Sequence, residues 1–82
     1  MKQSLARTAA EVDIHHMNRD QAKRYLGQFL DRVEPSVKEV TVIHGWSGGT
    51  VLQTMVQKGL RHPRIRAKIK SMNPGVTILL LS

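Results

Sequence analysis

The sequence predicts an α/β protein, specifically an α+β two-layer sandwich in which a four-stranded mixed sheet carries two helices on one face. Segments with apolar residues at period two and segments with apolar residues at helical spacing follow one another in the order βαβαββ. Strand–helix–strand units cross over with a right hand, which places both helices on the same face. With 82 residues and no cysteine, the chain suffices for one domain without disulfides. We expect a flexible N-terminal arm over residues 1–9 and a single domain over residues 10–82.

The first half of the chain contains a strand and a helix. Polar and apolar residues alternate from Glu11 to His15, which predicts a strand with Asp13 facing outward. Asn18 and Gln21 resemble a capping box, so the first helix begins at Asn18. One apolar stripe follows at helical spacing: Ala22, Tyr25, Leu26, Phe29, Leu30 and Val33.

The second half supplies the rest of the sandwich. Residues 40–43 are rich in β-branched side chains and predict the second strand. Thr50 and Gln53 form a second capping pair for the second helix. Residues 64–70 and 76–81 predict the third and fourth strands, paired in antiparallel fashion through an Asn-Pro-Gly turn.

Positive charge dominates the chain, with 13 Lys and Arg residues against six acidic ones and a net charge of +7. In residues 64–70 every second residue is basic, so the period of a strand places four cations on the open face of the sheet. These are Arg64, Arg66, Lys68 and Lys70. A basic face attracts polyanions and favours a nucleic-acid partner, although edge strands also carry such residues for solubility alone.

Chemistry-bearing residues follow the first two predicted strands. Asp13 and His15 end the first strand and His44 ends the second. The carboxyl ends of parallel strands meet at one edge of a sheet, so we expect these side chains to share one anion-receiving pocket. A glycine-containing loop follows, predicted to bind phosphate or to serve as a tight connection: Gly45, Trp46, Ser47, Gly48, Gly49 and Thr50.

Two motifs in these segments resemble the signatures of the Smr (small MutS-related) domain family. Residues 12–16 are similar to its LDLHG-type strand end, and residues 44–49 to its HGxGxG-type loop. The resemblance implies a fold similar to the C-terminal domain of translation initiation factor three, nucleic-acid binding, and nicking or RNA-cleaving endonuclease activity. His16 stands where the first signature has glycine, and residues 46–48 also depart from the second.

The functional expectation is an endonuclease that uses Asp13, His15 and His44 as catalytic residues, with one imidazole as general base and the other as general acid. No cofactor is expected; a divalent metal ion is possible, since a few His and Asp ligands can support one, but it is not indicated, because His15 and His16 would point to opposite faces if both lay in a regular strand. One alternative is a noncatalytic nucleic-acid or ribosome-binding module on the same fold. Another is a protein-interaction or self-association surface formed by Leu79 and Leu81, if Val76, Ile78 and Leu80 point inward. We expect a cytoplasmic protein without a membrane span, because the longest apolar run is too short.

Overall fold

A computed structural model describes residues 8–45 and 50–82. Its elements confirm the predicted βαβαββ order: β1 (Ala9–Asp13), α1 (Arg19–Arg32), β2 (Glu39–Ile43), α2 (Val51–Thr54), which continues as a π-helical segment (Met55–Gly59), β3 (Ile65–Lys70) and β4 (Val76–Leu81). Residues 1–7 of the predicted arm and residues 46–49 of the predicted phosphate-binding loop lie outside the described residues. Ala9, the last residue of the predicted arm, is the first residue of β1.

The sheet has the order β1-β2-β4-β3. Ala9, at the start of β1, pairs with Glu39 in a parallel β1–β2 ladder, whereas β4 runs antiparallel to both β2 and β3. The sheet is therefore mixed, and the carboxyl ends of β1, β2 and β3 all lie at one edge, here called the C-terminal edge. Because neighbouring strands lie about 4.8 Å apart, β1 and β3 are separated by about 14 Å at this edge.

The hydrophobic core lies between one face of the sheet and the helices, as a two-layer sandwich requires. The Asn18 side chain begins α1 by accepting a hydrogen bond from the Gln21 N–H at 2.8 Å, as predicted. The Thr50 side chain makes no capping hydrogen bond, so the second capping pair is wrong. The buried apolar residues come from both layers: Val12, Ile14, Ala22, Leu26, Leu30, Val37, Val40, Val42, Met55, Val56, Leu60, Leu79 and Leu81.

The predicted orientation of β4 is wrong by one residue. Leu79 pairs with Val40 and lies fully inside the core, and Leu81 is also buried. Val76, Ile78 and Leu80 are half-buried on the opposite, open face. The polar Thr77 belongs to the inward-facing set, which is why the apolar pattern alone favoured the other phase. Leu79 and Leu81 therefore cannot form the self-association surface that was expected of them.

The predicted row of four cations on the open face is also wrong. A bulge between Ile65 and Ala67 shifts the register of β3 against β4. Lys68 consequently pairs with Leu79 on the helix-facing side, and Ile69 is 44% exposed on the open side. An extra residue in the strand thus reverses which side chains share a face, a change that strict alternation cannot reveal.

Candidate functional site

An aspartate and a histidine form a solvent-facing pair where β1 ends. The Asp13 carboxylate accepts a hydrogen bond from the His15 backbone N–H at 3.0 Å and a second from the ring Nδ1 of the same residue. The side chains are 46% and 58% exposed, respectively. These hydrogen bonds, the ring contact foremost, lower the pKa of Asp13 below its usual value. With its proton on Nδ1, the neutral His15 ring presents the lone pair of Nε2 to a ligand.

Gly45 brings the ends of β1 and β2 together. The Ile14 N–H donates to the Ile43 carbonyl at 2.9 Å, which extends the β1–β2 contact beyond the strands. Gly45 has φ of +74°, and a Cβ atom placed on it would lie 3.2 Å from His15 Cβ. Glycine is therefore required both by the backbone conformation and by the close approach of His15. The predicted meeting of the two strand ends is confirmed at the level of the backbone.

His44, by contrast, belongs to the buried interior and is only 3% exposed. Its Nδ1 donates to the Gly45 carbonyl at 2.9 Å, and the Thr77 hydroxyl donates to its Nε2 at 2.8 Å. The Gln57 side-chain amide donates in turn to the Thr77 hydroxyl oxygen at 3.0 Å. We call these four residues the His44 network; with one proton on the His44 ring, at Nδ1, both ring nitrogens are hydrogen-bonded.

The expectation that His15 and His44 face one pocket is therefore wrong. His44 follows Val42 in the inward phase of β2, whereas Asp13 belongs to the outward phase of β1. The two histidines follow adjacent strands, yet their rings lie in different surroundings. The observed contacts make His44 a hydrogen-bonded core residue. It has no exposed nitrogen for a substrate.

A shallow depression of about 290 Å³ surrounds the Asp13–His15 pair. The turn between β3 and β4 forms one wall, through Asn73 and Gly75. The Gly75 carbonyl accepts hydrogen bonds from the backbone N–H groups of His44 and Gly45, at 2.9 and 3.0 Å. The sequence predicted this turn but not its place beside the pair, because that place depends on β4 inserting between β2 and β3. Within residues 8–45 and 50–82, the depression is lined by Asp13, His15, Ile43, Gly45, Asn73, Gly75 and Val76.

The predicted phosphate-binding loop is described only at its ends. Gly45 lines the depression, and Thr50 is exposed immediately before α2. Trp46, Ser47, Gly48 and Gly49 lie outside the described residues. Phosphate binding by this loop stays a prediction.

Four basic side chains surround two adjoining depressions between the π-helical segment and β3: Lys58, Arg61, Lys68 and Lys70. We call this surface the basic groove. Across residues 8–45 and 50–82, no acidic side chain forms an ion pair with any of the four. Burial, and to a lesser extent the charge of Arg61, lower the pKa of Lys68. The groove therefore carries positive charge that the described residues do not neutralise by ion pairing.

The predicted nucleic-acid-binding cations occupy different surroundings. Arg64 precedes β3 at the opposite end of the sheet, and its guanidinium donates to five carbonyl oxygens: those of Val33, Glu34, Pro35, Val37 and Ser82. Arg66 is exposed at the bulge, and Lys70 ends β3 at the C-terminal edge. The Lys68 ammonium donates to the carbonyls of Gln57 and Leu60 at 3.3 and 2.6 Å. Arg64 thus stabilises the fold through hydrogen bonds to the backbone. Lys68 makes a structural contact and also lines the groove, and Lys70 lies nearest the edge that carries Asp13.

His15 and His16 lie in a turn, because β1 ends at Asp13. A regular strand would have turned the two side chains to opposite faces, and the turn removes that obstacle to a shared metal ion. The two rings meet edge to face, with centroids 5.6 Å apart. One ligand atom from each of Asp13, His15 and His16 lies within 4.8 Å of the others.

Comparison with known proteins shows the family to which this chain belongs. A family model described as Smr domain matches residues 12–81. No curated protein and no solved structure matches the chain. Among the described residues, no helix is long and apolar enough to cross a membrane. The match spans most of the chain and includes both motifs, and the chain therefore belongs to the Smr domain family, a nucleic-acid-binding and nuclease-related family.

Proposed function

We propose that this chain is an endonuclease that nicks or cleaves nucleic acid at the Asp13–His15 pair. The observation that carries the proposal is the exposed carboxylate–imidazole contact at the C-terminal edge. A carboxylate that accepts from Nδ1 fixes the ring orientation and leaves Nε2 to take a proton, which is how such pairs activate a nucleophile.

On RNA, the proposed reaction needs no metal. The His15 Nε2 accepts the proton of a 2′-hydroxyl, whose oxygen attacks the neighbouring phosphorus. The bond from phosphorus to the 5′ oxygen breaks, that oxygen takes a proton from water, and the hydroxide left behind takes the proton from His15, leaving a cyclic phosphate, a 5′-hydroxyl and the neutral ring. DNA lacks the 2′-hydroxyl, so nicking it requires water as the nucleophile.

The basic groove is the proposed binding surface for the phosphate backbone. Lys70 ends β3 at the same edge at which Asp13 ends β1, about 14 Å across the sheet. A bound strand can therefore contact the groove and reach the Asp13–His15 pair along one edge. In the sequence, residues 45–50 come between the Asp13–His15 pair and the residues of the basic groove, and we propose that this loop binds phosphate.

A second candidate is a noncatalytic nucleic-acid or ribosome-binding module. The burial of His44 favours it, because the expected pair of acid and base imidazoles is reduced to one in the described depression. In this function the groove binds the phosphate backbone and Asp13 and His15 do no chemistry.

A cleavage assay separates the two candidates. Labelled single-stranded RNA, its deoxy counterpart and supercoiled plasmid are each incubated with the protein in EDTA. If His15 is the general base, His15→Ala reduces the cleavage rate by about 10² to 10⁴-fold. Asp31→Asn is the matched control for Asp13→Asn, because Asp31 contacts His62 at 2.7 Å in a second carboxylate–imidazole pair away from the depression. Cleavage that persists unchanged in His15→Ala refutes the catalytic assignment, and salt-dependent binding without cleavage selects the second candidate.

The salt dependence of binding tests the basic groove. Each phosphate contact adds about 0.7 to the slope of log affinity against log salt for a single strand. The double variant Lys58→Gln/Lys70→Gln therefore reduces the slope by about 1.4. Lys23→Gln/Arg24→Gln removes the same charge from the exposed side of α1 and serves as the control. If the groove variant and the α1 control variant reduce the slope equally, the basic groove is not a specific site of phosphate contact.

A further inference from the structure

We propose that Asp13, His15 and His16 form a binding site for a transition-metal ion of the zinc class. The turn that follows β1 brings together one carboxylate and two imidazoles within four consecutive residues. One ligand atom from each lies within 4.8 Å of the other two. All three residues are exposed, so their side chains can adjust around an ion without disturbing the core.

The donor set matches the chemistry of Zn²⁺. Imidazole nitrogen and carboxylate oxygen bind Zn²⁺ at about 2.0 to 2.2 Å, and three protein ligands leave one tetrahedral position for a further ligand. Mg²⁺ prefers an octahedral shell of oxygen atoms, so two imidazoles disfavour it. The same three side chains thus discriminate between the two ions.

Local charge favours a cation here although the chain as a whole is strongly basic. Glu11 lies two residues before Asp13 on the same side of β1, and neither β1 nor β2 contains a lysine or an arginine. The basic groove flanks β3, about 14 Å away across the sheet. Screening in physiological salt acts over about 8 Å, so the groove opposes cation binding at Asp13 only weakly.

His16 makes the site a property of this chain rather than of the Smr signature, which has glycine at that position.

The other carboxylate–imidazole pair, Asp31 with His62, provides an internal comparison. The His62 Nδ1 already accepts a hydrogen bond from the Arg64 backbone N–H at 3.1 Å, and its Nε2 contacts Asp31. Both His62 nitrogens are therefore engaged.

Metal occupancy also bears on the proposed cleavage. A His15 ring held by a metal ion and Asp13 is no longer oriented to accept a proton from substrate, so Zn²⁺ is expected to inhibit the metal-free reaction. That consequence rests on the proposed function, whereas the metal site itself does not. Direct binding measurements therefore test the site even if the protein cleaves nothing.

The test is a Zn²⁺ titration of the untagged protein, followed by NMR of the histidine ring nitrogens. We expect saturation at one ion per chain, with the ring signals of His15 and His16 shifting and those of His44 and His62 unchanged. The variant His16→Asn removes one ligand and is expected to weaken binding by about tenfold or more, since loss of even an outer-shell partner costs about 10 to 100-fold. Asp31→Asn is expected to bind as tightly as the unmodified chain, and Mg²⁺ to leave the ring signals in place.

Thermal melting gives a second measurement. Zn²⁺ at 100 times its dissociation constant is expected to raise the melting temperature by on the order of 10 °C. The proposal is overturned if the titration does not saturate, if His16→Asn binds with unchanged affinity, or if the signals of His62 move in place of those of His15 and His16.

Discussion

Replacement of His44 by alanine is expected to destabilise the fold strongly. The substitution leaves the Thr77 hydroxyl without its acceptor and the Gly45 carbonyl without the ring donor, both in the His44 network. A buried polar group left without a partner costs about 1 to 3 kcal/mol, which applies to the fully buried Thr77 hydroxyl, whereas the half-buried Gly45 lines the open depression and its carbonyl adds less. For a chain of 82 residues the whole free energy of unfolding is about 4 to 12 kcal/mol. His44→Ala therefore removes a large share of the stability.

Urea denaturation followed by circular dichroism measures this loss, and His15→Ala is the matched control. His15 is exposed, so its replacement is expected to change the free energy of unfolding by no more than about 0.5 kcal/mol. Thr77→Val tests the network from its other side. Because the two residues share one hydrogen bond, the double variant is expected to cost about 0.5 to 3 kcal/mol less than the sum of the single variants. A His44→Ala protein as stable as the unmodified chain but at least 100-fold slower in cleavage would refute the structural role of His44.

Four further predictions follow from single contacts. Gly45→Ala is expected to lower the free energy of unfolding by about 1 to 2 kcal/mol or more, measured in urea, because a side chain at positive φ is strained and the new Cβ crowds His15. Lys68→Met leaves two carbonyls at the end of the π-helical segment without their ammonium donor and is expected to cost about 1 to 3 kcal/mol in the same assay, whereas Lys68→Arg should recover part of the loss. Asn18→Ala removes the cap of α1 and is expected to cost about 0.5 to 2 kcal/mol, with a matching fall in the melting temperature. Folding lowers the pKa of Asp13, so the stability that this carboxylate contributes is present above its unfolded pKa and is lost as the pH falls through its folded pKa. Carboxyl NMR in EDTA should place the titration midpoint of Asp13 below 3.8, and His15→Ala should return that midpoint toward 3.8.

The order of the elements could be predicted from the sequence because local signals agree with the tertiary structure there. The Asn18 cap, the apolar stripe of α1 and the β-branched run of β2 each act within a few residues. The orientations of β3 and β4 could not be predicted in the same way. A bulge at Arg66 and a buried Thr77 reverse the apparent phase, and both become visible only through pairing between strands.

For the candidate site, too, the sequence predicted which segments meet but not how every side chain is oriented. Parallel strands bring their ends together, and the sequence therefore predicted that Asp13, His15 and Gly45 would meet. Which way an imidazole points at the end of a strand depends on its buried partners, and the contact of His44 with Thr77 of β4 cannot be predicted from the residues around His44. The basic groove was missed as a unit because Lys58 and Arg61 come from the helix and the loop that follows it, whereas Lys68 and Lys70 come from β3.

NMR mapping of a bound short single-stranded RNA, at low salt in EDTA, tests whether the basic groove and the Asp13–His15 pair form one nucleic-acid-binding surface. The largest shifts are expected at Lys58 and Lys70 of the basic groove and at the Asp13–His15 pair of the C-terminal edge. Shifts confined to the open face, at Ile69, Ile78 and Leu80, would contradict that expectation.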